Sequence, residues 1–138
     1  MTGVSLPQVL RLRILEEARA AFPQECCGLL EGLRTIGAHG EEFRVTALHA
    51  ARNLASTSDR FEIAPEDHIK AFKTARAHDH RLIGCYHSHP NGRSEPSAAD
   101  KAGAGEEDFL WLIAAGERLA AFVYRRGEYS GADLLAPE

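Results

Sequence analysis

Apolar positions along this chain follow two periods, one helical and one alternating. From about Pro7 to Ala21, Val9, Leu10, Leu12, Ile14, Leu15, Ala18 and Ala21 recur at three- and four-residue steps, with Arg11, Arg13, Glu16, Glu17 and Arg19 between them. This predicts an amphipathic helix, stopped by Pro23. Cys26 to Gly32 then reads as a short, largely buried strand closed by glycine, with Glu25 at its mouth. Residues 33–41, with Gly37 and Gly40, read as a loop, and Phe43 to Leu48 alternates as a second strand. Asn53 to Asp59 is polar and turn-like, and Arg60 to Ile63 alternates as another short strand. Pro65 opens a second helix that runs to about His78, with Glu66 and Asp67 at its positive end.

The second half is richer in strands. Arg81 to Tyr86 is a strand running into His87. Ser97 is a plausible N-cap for a short helix containing Ala98, Ala99, Asp100, Ala102 and Ala104, because its hydroxyl can accept from a free first-turn amide. Glu106 to Asp108 reads as a solvated acidic loop. Phe109 to Ala114 and Leu119 to Tyr124 are apolar runs joined at Gly116-Glu117, which predicts an antiparallel pair near the core. Arg125 to Ala132 turns and returns as an edge strand or ragged end. The order of elements predicts an α/β fold, a single domain over residues 1–138 with a mixed β-sheet flanked by helices.

Composition narrows the class. A chain of 138 residues with 44% hydrophobic and 26% charged residues has enough apolar surface for a core without disulfides or a partner. The net charge of -4 gives no electrostatic footprint for nucleic acid as a main partner. The first residues carry no secretion signal and no stretch is long enough to span a bilayer, so a cytoplasmic protein without a membrane partner is expected. Cys26, Cys27 and Cys85 do not make a spaced disulfide framework and are expected to be reduced core residues.

The chemistry concentrates between His87 and Asp100. His87 and His89 stand two apart on a strand, where such side chains point to the same side. Pro90, Asn91 and Gly92 then turn the chain sharply and bring Asp100 back from the next element. Two imidazoles and one carboxylate are a catalytic zinc donor set that leaves a position for water. The chain contains its own control: His78 and His80 are also two apart, but at a helix end, where they share no face and no turn delivers a third ligand, so they are expected to be solvated surface residues. Strict alternation puts Cys85 on the side of His87 and His89, yet a thiolate ligand would close the site, and Cys85 is assigned to the core.

His87-Ser88-His89-Pro90, followed after six residues by Ser97 and Asp100 in an SxxD pattern, resembles the JAMM metalloproteases, also called MPN-plus domains. Pro23 to Gly32 is similar to the segment that supplies the catalytic Glu of that family, and Gly84-Cys85-Tyr86 and Phe61 to Pro65 are similar to other family segments. The resemblance implies a mixed, curved sheet flanked by helices, as in cytidine deaminases. It further implies Zn2+ held by His87, His89 and Asp100, with Glu25 as the base that moves a water proton to the leaving amine. Ser97 would stabilise the oxyanion, a role that competes with N-capping and that the sequence does not decide. Ser88 would pack or position rather than react.

Compact members of that type resemble peptidases that cut after the C-terminal Gly-Gly of small ubiquitin-like sulfur-carrier proteins. Such a carrier is the expected partner. An extended Gly-Gly tail has no side chains and can lie beside a sheet edge. Two alternatives stand beside this reading: a RadC-like DNA-repair-associated domain, which has HNHPSG where this chain has HSHPNG, and a non-catalytic MPN scaffold, which would lack ligands that this chain keeps. A deaminase activity is excluded because neither HxE nor PCxxC accompanies the histidines.

Overall fold

The computed structural model describes residues 1–103 and 105–135. Its elements are β1 (Thr2–Ser5), α1 (Gln8–Ala21), β2 (Cys27–Gly37), β3 (Gly40–Ala51), α2 (Pro65–Ala77), β4 (Arg81–Ser88), α3 (Ala98–Gly103), β5 (Phe109–Ala115), β6 (Arg118–Arg125) and β7 (Glu128–Leu134). The strands pair in the order β1, β3, β2, β4, β5, β6, β7, and β7 returns to β1, closing the mixed sheet into a barrel. β4 and β5 are parallel, as are the contacts of β1 with β3 and β7, and the remaining neighbours are antiparallel. The mixed α/β fold with a curved sheet is therefore present. No helix among the described residues is long and apolar enough to cross a membrane.

Alternation divides the sheet residues between two apolar clusters. Leu30, Tyr86, Leu110 and Leu112 face the cluster that also receives Leu10, Ile14 and Leu15 of α1. Leu29, Cys85 and Trp111 face the other side, where Ala71 of α2, Phe61 and Ile63 cover them. His87 belongs to this second face by alternation with Tyr86, and Phe61 stacks on its ring with centroids 4.4 Å apart. Gly28 is required where β2 passes Tyr86: a Cβ there would sit 2.4 Å from the phenol ring. The tyrosine lies across β2 in consequence and donates its hydroxyl to Glu17 at 2.7 Å.

Several expected boundaries change. Residues 33–41 are not a loop, because β2 and β3 continue to Gly37 and Gly40 and meet in a tight hairpin. Beyond Gly32, β2 projects past the core and is exposed on both faces, so its sequence has no reason to alternate. Arg60 to Ile63 is not a strand either; it contributes one isolated bridge, Asn53 with Ile63. Asn53 organises that segment through its side chain, accepting from the amides of Ala55 and Glu62 at 2.9 Å each. Arg125 to Ala132 is no ragged end, since β7 pairs with both β6 and β1. Ala104, expected in the short helix, lies outside the described residues.

Candidate metal centre and active site

Strand β4 delivers His87 at its end, and the amide of His89 continues the pairing by donating to the Ala114 carbonyl at 2.8 Å. The chain then turns through Gly92, whose φ of 81° suits a residue without a side chain. Ser97 and Asp100 cap α3 reciprocally: the Asp100 amide donates to Ser97 Oγ at 3.0 Å and the Ser97 amide donates to Asp100 Oδ2 at 2.8 Å. This is a capping box closed by an aspartate. It fixes the carboxylate that faces the strand end.

The three donors converge. His87 Nε2 and His89 Nε2 are 3.0 Å apart, and each lies 3.0–3.1 Å from an Asp100 carboxylate oxygen. A tetrahedral zinc with bonds of about 2.0 Å has ligand edges of roughly 3.3 Å, so the set fits such an ion with little movement. His87, His89 and Asp100 are all buried, with exposures of 0%, 4% and 3%. The Nδ1–H of His89 donates to the Arg93 carbonyl at 2.7 Å, which leaves Nε2 as the lone-pair nitrogen facing the other two donors. His87 is aimed by packing instead, against Phe61 and the edge of Trp111.

Glu25 adjoins this set, with one ligand atom within 4.8 Å of those of His87 and His89. It is 3% exposed, and its Oε1 and His87 Nδ1 are the two buried side-chain polar atoms without a hydrogen-bond partner among the described residues. An orphaned carboxylate oxygen beside three converging donors is what a site built around an ion and a water presents. Burial pushes the Glu25 carboxyl up to about 7, with His89 pulling it down and Asp100 raising it further. Burial lowers His87, whereas for His89 the hydrogen bonds to Asp100 and Arg93 outweigh burial and raise it. Burial likewise acts to raise Asp100, but the hydrogen bonds from His87 and His89 hold it far below the usual carboxylate range.

Two further residues place Glu25. Ser88 Oγ accepts from the Cys26 amide at 2.8 Å, clipping the segment that carries Glu25 to the strand that carries His87. Asn53 Nδ2 donates to the Glu25 carbonyl at 3.0 Å. Sequence reasoning gave Ser88 a packing or positioning part, touched Phe61 only as the start of a family-like segment with no role at the site, and missed Asn53, whose only signal was a polar turn. Cys85 is buried in the second apolar cluster, with its thiol pushed well up by burial, as expected of a core residue.

A cleft of about 330 Å3 opens over Glu25, His89 and Ser97, walled by Ser58, Asn91 and Ala98. On the other side of Asp100 a cavity of about 510 Å3 is lined by Leu29, Phe61, Cys85 and Trp111.

His78 is exposed and His80 partly so, as expected of a surface pair, but the two do share a face and meet a third donor. Both ring Nδ1 atoms meet one oxygen of the buried Glu31, at 2.8 and 2.6 Å.

A closed mixed barrel, with two buried histidines and an aspartate converging beside a fourth, carboxylate side chain, defines the class. The profile of the prokaryotic homologues of the JAB domain matches residues 7–126, and the chain belongs to that family. It is similar to the desampylase of Haloferax volcanii, 30% identical over 115 residues, covering 80% of this chain and 78% of that one. It is similar also to the desampylase of Pyrococcus furiosus, 29% identical over 118 residues, covering 86% and 72%. The solution structure of a protein from Desulfitobacterium hafniense superposes with a TM-score of 0.84 at 26% identity, over 100% of this chain and 94% of that one.

Proposed function

We propose that this protein is a zinc-dependent peptidase that hydrolyses the amide bond after the C-terminal Gly-Gly of a small ubiquitin-like, sulfur-carrier type protein. The observation that carries the reading is the mutual 3.0–3.1 Å spacing of His87, His89 and Asp100 beside the unpartnered Oε1 of Glu25. Membership of the JAB homologues and the two relatives named desampylase support a hydrolase that releases a conjugated modifier. Three buried, unpaired cysteines suit a reducing cytoplasm.

His87 and His89 would hold the ion through Nε2 and Asp100 through its carboxylate. When bound, zinc supplies Lewis acidity, which makes water nucleophilic near neutral pH and polarises a carbonyl. Glu25 takes the proton of the attacking water and returns it to the leaving amine, work for which a buried carboxylate whose Oε1 has no other partner among the described residues is placed. Ser97 Oγ accepts from the Asp100 amide and keeps its own proton, because a hydroxyl is both donor and acceptor. That proton stabilises the carbonyl oxygen as negative charge builds on it. Capping and oxyanion stabilisation are therefore compatible in one serine. The test is cleavage of carriers extended beyond Gly-Gly by zinc-loaded protein: release of the extension is expected, and a panel left entirely uncut would contradict the reading.

A further inference from the structure

Glu31 is a carboxylate in the middle of a sheet, 1% exposed, with neither an Arg nor a Lys bonded to it among the described residues. Three imidazoles surround it instead. His78 Nδ1 and His80 Nδ1 lie 2.8 and 2.6 Å from its Oε2, and His49 Nε2 lies 2.8 Å from its Oε1. The ligand atoms of Glu31, His78 and His80 all fall within 4.8 Å of one another.

The backbone is shaped to make this meeting. On β3 the register skips Thr46, with Glu31 opposite Ala47 and Gly32 opposite Val45. On β4 it skips Ile83, with Leu30 opposite Gly84 and Glu31 opposite Leu82. Irregularities on both neighbours bracket one residue, and bulges of this kind re-aim side chains. The helix end is equally specific. Asp79 has a φ of 59°, the His80 amide donates to the Ala75 carbonyl at 2.9 Å and the Asp79 amide to the Arg76 carbonyl at 3.1 Å. This is a Schellman cap, with the left-handed residue between the two histidines. The turn swings His80 back towards β2 on the same side as His78.

We propose that Glu31, His78 and His80 form a second divalent-metal site of the zinc class, with His49 orienting the Glu31 carboxylate from its other oxygen. Imidazole and carboxylate together suit zinc, nickel, cobalt or copper, and a ligating carboxylate hydrogen-bonded by another side chain is the usual support. Without an ion, one carboxylate oxygen must be shared by two N–H groups. A divalent cation replaces those protons and neutralises the buried charge. The imidazoles need to withdraw by roughly 0.5–0.7 Å to reach the roughly 3.3 Å edges of a tetrahedral site. They have room, since the side chain of His78 is 55% exposed and that of His80 is 26% exposed.

The site stands apart from the first. Glu31 lies along β2 from Cys27, the partner of His87, by roughly 13 Å at about 3.3 Å per residue. It joins the end of α2 and the start of β4 to β2 and β3, so its ion would be a clamp on the strand that carries His87 and not a participant in hydrolysis.

Metal content of tag-free protein, stripped with a chelator and dialysed against zinc, is the test. Two equivalents per chain are expected, falling to one in His78→Ala/His80→Ala and to one in His87→Ala/His89→Ala, with circular dichroism checking that each variant is folded. In the second variant, added zinc should still raise the melting temperature; in the first, peptidase activity should persist. Wild-type protein holding one equivalent that His78→Ala/His80→Ala leaves in place would overturn the second site. One equivalent lost on that substitution would keep the second site and count against the proposed peptidase centre. The wild-type stoichiometry needs no variant to fold.

Discussion

Ser97 and Asp100 hold each other, amide to side chain in both directions, at 3.0 and 2.8 Å. The SxxD spacing is thus a helix cap that also orients a side chain: the serine that starts α3 fixes the carboxylate facing His87 and His89. Ser97→Ala removes the cap, at a cost of about 0.5–2 kcal/mol, and under the proposed mechanism would also remove the proton offered to the substrate carbonyl. Loss of one such donor lowers turnover by about a hundred- to a thousandfold. Thermal unfolding and kcat measured on the same preparation separate the two effects, and a fall in stability without one in kcat would remove Ser97 from the chemistry.

Ser88 holds the segment that carries Glu25. Its hydroxyl satisfies the buried Cys26 amide, and an amide left unsatisfied costs about 1–3 kcal/mol. Ser88→Ala is expected to lower kcat with metal content unchanged, whereas Ser88→Thr, which keeps the hydroxyl, should restore most of the rate. Equal loss in both variants would mean that packing at this position, and not the hydrogen bond, is what matters.

Gly28→Ala should destabilise the protein without touching the donors. A methyl group there would meet the Tyr86 ring at 2.4 Å, and Tyr86 is fully buried and tied to Glu17. Overpacking of this kind costs about 1–3 kcal/mol. Denaturant unfolding would show it, and an unchanged midpoint would mean that the ring yields freely.

Glu41 gives the fold a pH dependence away from the site. It accepts both Arg125 Nη2 contacts, at 2.9 and 2.8 Å, and pairs with Arg34, linking β3 to β6 and β2. Burial acts to raise its carboxyl, but the hydrogen bonds from Arg125 and Arg34 outweigh it and hold the group below its usual value. A folded pKa below the unfolded one contributes stability that is complete above about pH 4.3 and is lost as pH falls through the lowered folded value. Glu41→Gln should therefore be less stable than wild type at neutral pH, with the gap closing in acid. A gap independent of pH would assign the effect to shape and not to charge.

Much of this was legible because single residues carry unambiguous physics. The four-residue step from Leu10 to Ile14 and the three-residue step from Leu15 to Ala18 give α1, and Phe109 to Tyr124 pairs as its apolar runs indicate. The two-residue period of a strand gives the convergence of His87 and His89. Glu25 was visible only through family resemblance, because nothing near it in sequence shows that Ser88 and Asn53 hold it inside. The Glu31 cluster was invisible for a sharper reason. Helical periodicity separates His78 from His80, and one left-handed residue, Asp79, cancels that rule. The outer parts of β2 and β3 escaped because both faces meet water there, and β1 spans only Thr2 to Ser5, too short for a pattern.

The measurement closest to the central claim pairs zinc analysis with cleavage of a Gly-Gly-extended carrier by wild type and Glu25→Gln. The variant keeps the shape of the buried side chain and loses its ability to carry a proton. It should hold as much zinc at the His87, His89 and Asp100 centre as wild type and turn over about a hundred- to ten-thousandfold more slowly. A Glu25→Gln protein that cleaves at the wild-type rate would contradict the account.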